Sequence, residues 1–276
     1  MKEVFTMWRH TQMVVLVALS AAIYAAVLIP LKGFPIIPGL IEIRPANVFP
    51  FVFSLLFGPA GAWGAAIGNL IGDFFGTLTV GSIGGFIGNF FLGLLPYKLW
   101  GAFFRRGDVE PNPNTAKKLA VYVAIVIIVS LVCASIIAWF VALLELFPFT
   151  PVLLLIVSNN VIPGIVLGPI LLIALYPRVK QFGLLWTEIM EPEEVSASRL
   201  QTLGNVLVWV GGIGALITGL LIEAGGFGGG FTVGVALIPF LVLIVAGTFL
   251  LGGREQVEAA EEMMDAEEVE PEAGTS

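Results

Sequence analysis

The chain has 276 residues, is 58% hydrophobic and only 12% charged, and has a mean hydropathy of +0.99. Soluble domains run at about 45–50% apolar and about 25% charged residues. This composition therefore excludes an ordinary cytosolic enzyme, a secreted disulfide scaffold and a nucleic-acid binder, and leaves an integral membrane protein whose exterior is dissolved in lipid.

The formal net charge of −7 belongs to one end. Nine acidic and no basic residues follow from Glu255 onward, leaving eleven acidic against thirteen basic residues in the body. The single cysteine, Cys133, admits no intrachain disulfide, and with one histidine a Cys/His metal site is not expected.

Apolar runs in chain order predict spans near residues 13–31, 46–57, 60–76, 82–101, 119–144, 151–176, 203–223 and 231–252. Crossing about 30 Å of hydrocarbon takes about 20 helical residues. The second and third runs are short, parted only by Gly58-Pro59, and read either as two short helices or as one re-entrant hairpin. The first run is too long, and Pro30-Leu31-Lys32-Gly33 too unlike a cleavage site, for a signal peptide. Proline and paired glycine in spans two and six predict broken or kinked helices.

Domain boundaries follow: a six-span core over 1–180, a cytoplasmic acidic linker over 181–202, a two-span appendage over 203–252, and a disordered acidic tail over 253–276. The polar stretch 105–118 reads as a cytoplasmic loop. With the N-terminus inside, Lys2, Arg9, Lys98, Arg105, Arg106, Lys117, Lys118, Arg178, Lys180, Arg199 and Arg254 face the cytoplasm and only Lys32 and Arg44 lie outside. This bias places both termini in the cytoplasm of a multi-pass protein of the cell membrane.

Polar groups inside hydrocarbon either find partners or line a cavity. Here they cluster. Asn69 and Asp73 share a face of the third span, and Asn89 lies on the fourth. Ser158, Asn159 and Asn160 precede Pro163-Gly164 in the sixth, while Glu42, Arg44 and Asn47 flank the external mouth of the second. Such a set can form a polar pocket for a neutral heterocyclic or amide-bearing ligand, with Arg44 as natural counter-ion to Asp73. It can equally be interhelical glue, at about 0.6–2 kcal/mol per asparagine. Glu145 and Glu223 fall at the outer ends of spans five and seven.

Gly64, Gly68, Gly72 and Gly76 recur at spacing four, and Gly84 and Gly88 repeat the pattern next door. Such stripes let backbones approach closely. Ala18, Ala22 and Ala26 make a stripe on the first span, with Ala21 and Ala25 beside it, suited to internal packing or to docking of another protein. Ile71-Gly72-Asp73-Phe74-Phe75 is echoed by Ile87-Gly88-Asn89-Phe90-Phe91, and Asn47-Val48-Phe49-Pro50 more weakly by Asn160-Val161-Ile162-Pro163.

No phosphate-binding Gly-x-x-x-x-Gly-Lys-Ser/Thr is present, so the chain does not hold ATP itself. His10, at a cytoplasmic helix start, suits an interfacial role and cannot serve an intramembrane serine nucleophile. No Arg ladder suggests a voltage sensor. No enzymatic activity, cofactor or metal is expected.

The stretch Ile41-Glu42-Ile43-Arg44-Pro45-Ala46-Asn47-Val48-Phe49-Pro50, then Leu55-Leu56-Phe57-Gly58-Pro59-Ala60-Gly61-Ala62 and Gly68-Asn69-Leu70-Ile71-Gly72-Asp73, resembles the substrate-binding S component of energy-coupling factor (ECF) transporters. The likeness covers about residues 13–180. It implies an all-α bundle with a six-span core, to which the last two spans are extra. It further implies a vitamin or similar micronutrient as ligand, bound from outside near residues 32–46, 76–82 and 145–151. The alanine stripe Ala18, Ala22, Ala26 would be the face that docks on the transmembrane coupling subunit, driven by two separate ATPase subunits. Membrane lipid is the remaining partner, and no nucleic acid is expected. A stand-alone transporter, with Asp73 or Glu42 as proton or sodium site, is the alternative, and a non-transporting scaffold is a third reading.

Overall fold

The computed structural model describes residues 1–31, 35–37, 41–42, 44–76, 78–104 and 109–273, with side chains left aside over 35–37, 41–42 and 267–273. Lys32, Arg105 and Arg106 of the charge pattern lie outside the described residues.

A short helix α1 (Glu3–Thr6) leads into α2 (Thr11–Leu31). A small antiparallel ribbon follows, β1 (Pro35–Ile37) with β2 (Ile41–Glu42). Then come α3 (Val48–Phe57), α4 (Pro59–Phe74), α5 (Gly81–Phe103), α6 (Ala116–Leu143) and α7 (Phe149–Gln181). The chain closes with α8 (Trp186–Ile189), α9 (Gln201–Ala224), α10 (Gly230–Leu250) and α11 (Arg254–Ala273). This is the expected all-α polytopic bundle, with the ribbon as a minor addition.

Five helical segments, Thr11–Leu31, Ala116–Leu143, Phe149–Ile189, Gln201–Ala224 and Gly230–Ala266, are long and apolar enough to cross a membrane. Of the six runs read as full-length spans, α5 is the one outside this set. It has the length, 23 residues, but glycines, Asn89, Pro96 and Lys98 dilute its hydropathy. The short second and third runs form two helices, α3 and α4. At 1.5 Å per residue, α3 is about 15 Å long and α4 about 24 Å. Gly58 turns the chain between them with φ of +52°, and a β-carbon there would lie 2.5 Å from the Trp186 ring. Both facts call for glycine. Nearly every residue of α3 is buried, so this helix, apolar all round, is enclosed by others.

The glycine stripes pack in part: Gly76 falls beyond the end of α4, at φ +114° with open space beside it. A β-carbon on Gly64 would run into the Ser20 side chain, and one on Gly68 would lie 2.9 Å from the Ala21 carbonyl, so α4 lies directly against α2. On α5, a β-carbon on Gly84 would lie 2.8 Å from Phe140 and one on Gly88 2.5 Å from Ile137, which sets α5 against α6. The appendage is fastened to the core. Glu223 of α9 accepts the Phe149 and Thr150 amides, at 2.6 and 2.8 Å, from the first turn of α7. These donors have no partner within the helix, and a carboxylate also suits the positive end of its dipole. Trp139 of α6 donates to the Gly234 carbonyl of α10 at 2.7 Å.

Expectations for the tail and the sixth span are corrected. Over its described residues the acidic tail is helical rather than disordered: α11 runs over Arg254–Ala273. Its Glu, Ala and Met residues are good helix formers. Arg254 pairs with Glu258 four residues on, and Val257 and Gln256 are buried, with Gln256 donating to the Tyr97 carbonyl. The 181–202 linker is itself packed, with Leu185, Trp186, Met190 and Val195 buried and Trp186 edge-on to Tyr97. The sixth span is unbroken: α7 passes through Pro163, Pro169 and Pro177 as one helix.

At the end holding the starts of α1 and α2, buried Glu3 pairs with buried Lys98 of α5. Glu3 also accepts from Ser196, and Lys98 donates to the Leu251 carbonyl, so one ion pair joins the N-terminal segment, α5, the 181–202 segment and the end of α10. His10 reaches Glu194 nearby, 2.5 Å apart, an interfacial contact. Burial, the largest single influence, raises the Glu3 carboxyl, but Lys98, the N-terminal amine and Ser196 together outweigh it and hold the carboxyl down at about 2. A depressed carboxyl stabilises the fold above its ordinary value near 4.5, and that contribution is lost as pH falls from about 4.5 to about 2. Lys98→Met, which strands a buried carboxylate, is expected to cost about 3–5 kcal/mol, read as a drop in melting temperature in detergent. Its melting temperature should also depend less on pH than the wild type's across that acid window.

Candidate functional site

One cavity of about 250 Å³ collects the polar groups of the bundle. It lies at the C-terminal ends of α2, α4 and α6 and the N-terminal ends of α3, α5 and α7, away from the Glu3–Lys98 pair. Of the eight residues expected to bind ligand, Arg44, Asn47, Asn69, Asp73, Asn89, Asn159 and Asn160 all line it. Glu42 belongs to β2, and its side chain lies outside the described residues. Arg44 and Asp73 share the cavity, as a counter-ion relation would need. Of the expected 76–82 stretch, Thr79 of the α4–α5 connection and Gly81 and Ser82 at the start of α5 reach the lining, and residues 145–151 do not.

The two sequence echoes acquire a spatial meaning. Asp73 and Asn89, equivalent positions of one echo, face the same cavity. Asn47 and Asn160, equivalent positions of the other, are hydrogen-bonded: the Asn47 amide donates to Asn160 Oδ1 at 2.7 Å. Tyr24 donates to Asn47 Oδ1 at 3.0 Å, Asn69 donates to Asp73 at 3.3 Å, and Asn89 donates to the Gly85 carbonyl at 2.9 Å. The asparagines thus do both things foreseen for them: they join helices and they line a pocket. Ser158 does neither. It is exposed and donates to the Leu154 carbonyl of its own helix.

Sequence reasoning missed Tyr24, Thr79, Ser82 and Cys133 of the lining. A signal for Tyr24 exists: it follows Ser20 by four residues, on the stripe that also carries Ala21 and Leu28, all buried. One wall is apolar, with Ile137 and Val141 from α6 and Val152, Leu155 and Ile156 from α7, and the facing wall from α2 to α5 is polar. The volume is below the about 300–1,000 Å³ typical of drug-sized pockets. The cavity therefore suits a small molecule with one apolar face and a polar edge.

The alanines of α2 divide into two stripes. Ala21 and Ala25 are buried, Ala21 against the α4 glycines. Ala18, Ala22 and Ala26, on the stripe beside it, are exposed.

An exterior of exposed aliphatic side chains, such as Ile170, Val210 and Val242, around one polar cavity is the architecture of a multi-pass membrane protein that handles a small molecule. The family model described as QueT transporter matches residues 14–177, more than half of the chain, and the chain belongs to this family of ECF-transporter S components. No curated protein and no solved structure matches it significantly. The match covers α2 to α7, and α9, α10 and α11 lie beyond it.

Gly85 offers a selective test of the cavity. A β-carbon there meets only the Asn69 amide at 3.2 Å and Asp73 at 3.7 Å, both on the cavity wall. Gly85→Val is expected to fill the cavity and abolish ligand binding with a small change in melting temperature. Gly64→Val, driven into α2, is expected to lower the melting temperature strongly, by about 1–3 kcal/mol of overpacking or more. Parallel melts and binding isotherms separate the two.

Proposed function

We propose that this protein captures a queuosine precursor outside the cell and delivers it through an ECF importer, binding the ligand itself while two separate ATPase subunits supply the energy. The observation that carries the reading is the convergence of Arg44, Asn47, Asn69, Asp73, Asn89, Asn159 and Asn160 on one small cavity. The family is that of a queuosine-precursor S component. A nitrogen-rich heterocycle offers several donors and acceptors at its edge and flat apolar faces, which matches a cavity with one polar and one aliphatic wall.

The orientation with both termini in the cytoplasm supports capture from outside. Lys2, Arg9, Lys98, Lys117, Lys118, Arg178 and Lys180 lie toward the end away from the cavity, as a cytoplasmic face requires. The exposed stripe Ala18, Ala22 and Ala26 supports docking on a coupling subunit, because in lipid a smooth surface of small residues gains contact from close approach. The inner stripe is already occupied by α4, so the outer one remains for a partner.

Two measurements test this. Calorimetry on the purified protein in nanodiscs is expected to give saturable binding of a queuosine precursor with no other subunit present. Uptake in cells that supply the coupling and ATPase subunits is expected to be lost in Ala22→Leu while the binding isotherm is unchanged. Uptake driven by an ion gradient in proteoliposomes holding this chain alone would replace the reading with a stand-alone transporter.

A further inference from the structure

Five asparagines line the cavity, and four have at least one amide atom engaged. Asn47 is held by Tyr24 and Asn160, Asn69 by Asp73, and Asn89 by the Gly85 carbonyl. Asn159 differs. It is 8% exposed, it lines the cavity, and its amide makes no hydrogen bond among the described residues. Neither amide atom is sealed off from open space, unlike Nδ2 of its neighbour Asn160. The donor and acceptor of Asn159 are therefore left to whatever occupies the cavity.

Its place in the helix adds a second observation. Pro163 follows four residues later and has no N–H, so the Asn159 carbonyl lacks its ordinary backbone donor in α7. The aliphatic wall beside it, Val152, Leu155 and Ile156, comes from the same helix. A flat molecule lying on that wall would present its edge to the open amide.

We propose that Asn159 is the residue that reads the ligand, by a two-point contact in which Oδ1 accepts from a ring N–H while Nδ2 donates to the adjacent carbonyl. The ligand class is a planar heterocycle with a lactam edge. An asparagine amide carries one acceptor and one donor group side by side, whereas a carboxylate only accepts and an ammonium only donates. Paired contacts of this kind discriminate between base edges by about ten- to a hundredfold. The inference rests on the reading of the cavity as the ligand site and assigns the specificity within it.

The test uses the full-length protein in nanodiscs and two probes. One is 7-deazaguanine, which has the lactam edge, and the other is its N1-methyl derivative, which lacks the ring N–H. The wild type is expected to bind the first and to lose about ten- to a hundredfold in affinity for the second. Asn159→Leu, of similar size, should bind 7-deazaguanine about ten- to a hundredfold more weakly and no longer distinguish the probes. Asn159→Asp, which keeps the shape and loses the donor, should weaken binding in the same direction and guards against a folding artefact. If the wild type discriminates and a well-folded Asn159→Leu discriminates equally, the assignment to Asn159 is overturned while the ligand reading stands. A wild type that binds neither probe overturns the ligand reading and this proposal with it.

Discussion

Helices in this bundle approach more closely than ordinary side chains permit, and the polar cavity exists because of that approach. In lipid no hydrophobic force drives two apolar helices together, so association relies on close packing and on polar contacts between helices. Gly64 and Gly68 let α4 lie against Ser20 and Ala21 of α2, and Gly84 and Gly88 let α5 lie against α6. Asn69, Asp73 and Asn89 are carried on the helices so fixed, on faces that look away from hydrocarbon. A side chain added along these stripes would push the helices apart and disturb Tyr24 and Ile137, which line the cavity.

The cavity and the ion pair at the other end divide the labour of a membrane protein. Glu3 and Lys98 are fully buried and mutually neutralised, with Ser196 and the Leu251 carbonyl completing their hydrogen bonds. Such a pair adds little net stability over an apolar replacement, and it specifies which segments meet. It ties the N-terminus to α5, to the 181–202 segment and to the last helices. The cavity keeps Arg44, Asp73 and the asparagines around open volume. One end is closed by charge, and the other keeps an open polar volume.

Helices α9 and α10 are more than an addition placed beside a finished core. Glu223 takes the first amides of α7, the helix that carries Asn159 and Asn160, and Trp139 of α6 reaches the backbone of α10. The appendage thereby holds the outer ends of the two helices that form the aliphatic wall. The family match ends at residue 177, so these contacts are features of this chain beyond the shared core.

Composition alone established that lipid is the solvent, and hydropathy marked the helices close to where they form, because both are local properties. Glycine and alanine spacing foretold tight packing, because residues four apart share a helix face whatever lies opposite. The asparagines, Arg44 and Asp73 were legible as a group, because isolated polar groups in an apolar run are conspicuous. Tyr24 and Cys133 were not, since either residue is ordinary in a helix and becomes part of a cavity only through its neighbours. The same limit explains the acidic tail and the 181–202 segment: their charge reads as solvated chain, and only the arrangement of Trp186, Tyr97 and Gln256 packs them. It also explains Lys98, which a charge count assigns to a membrane face and the fold buries against Glu3, 95 positions away. Which of two alanine stripes faces inward, and which asparagine amide is left open, depends on what packs against each helix, and that was decided by the tertiary structure alone.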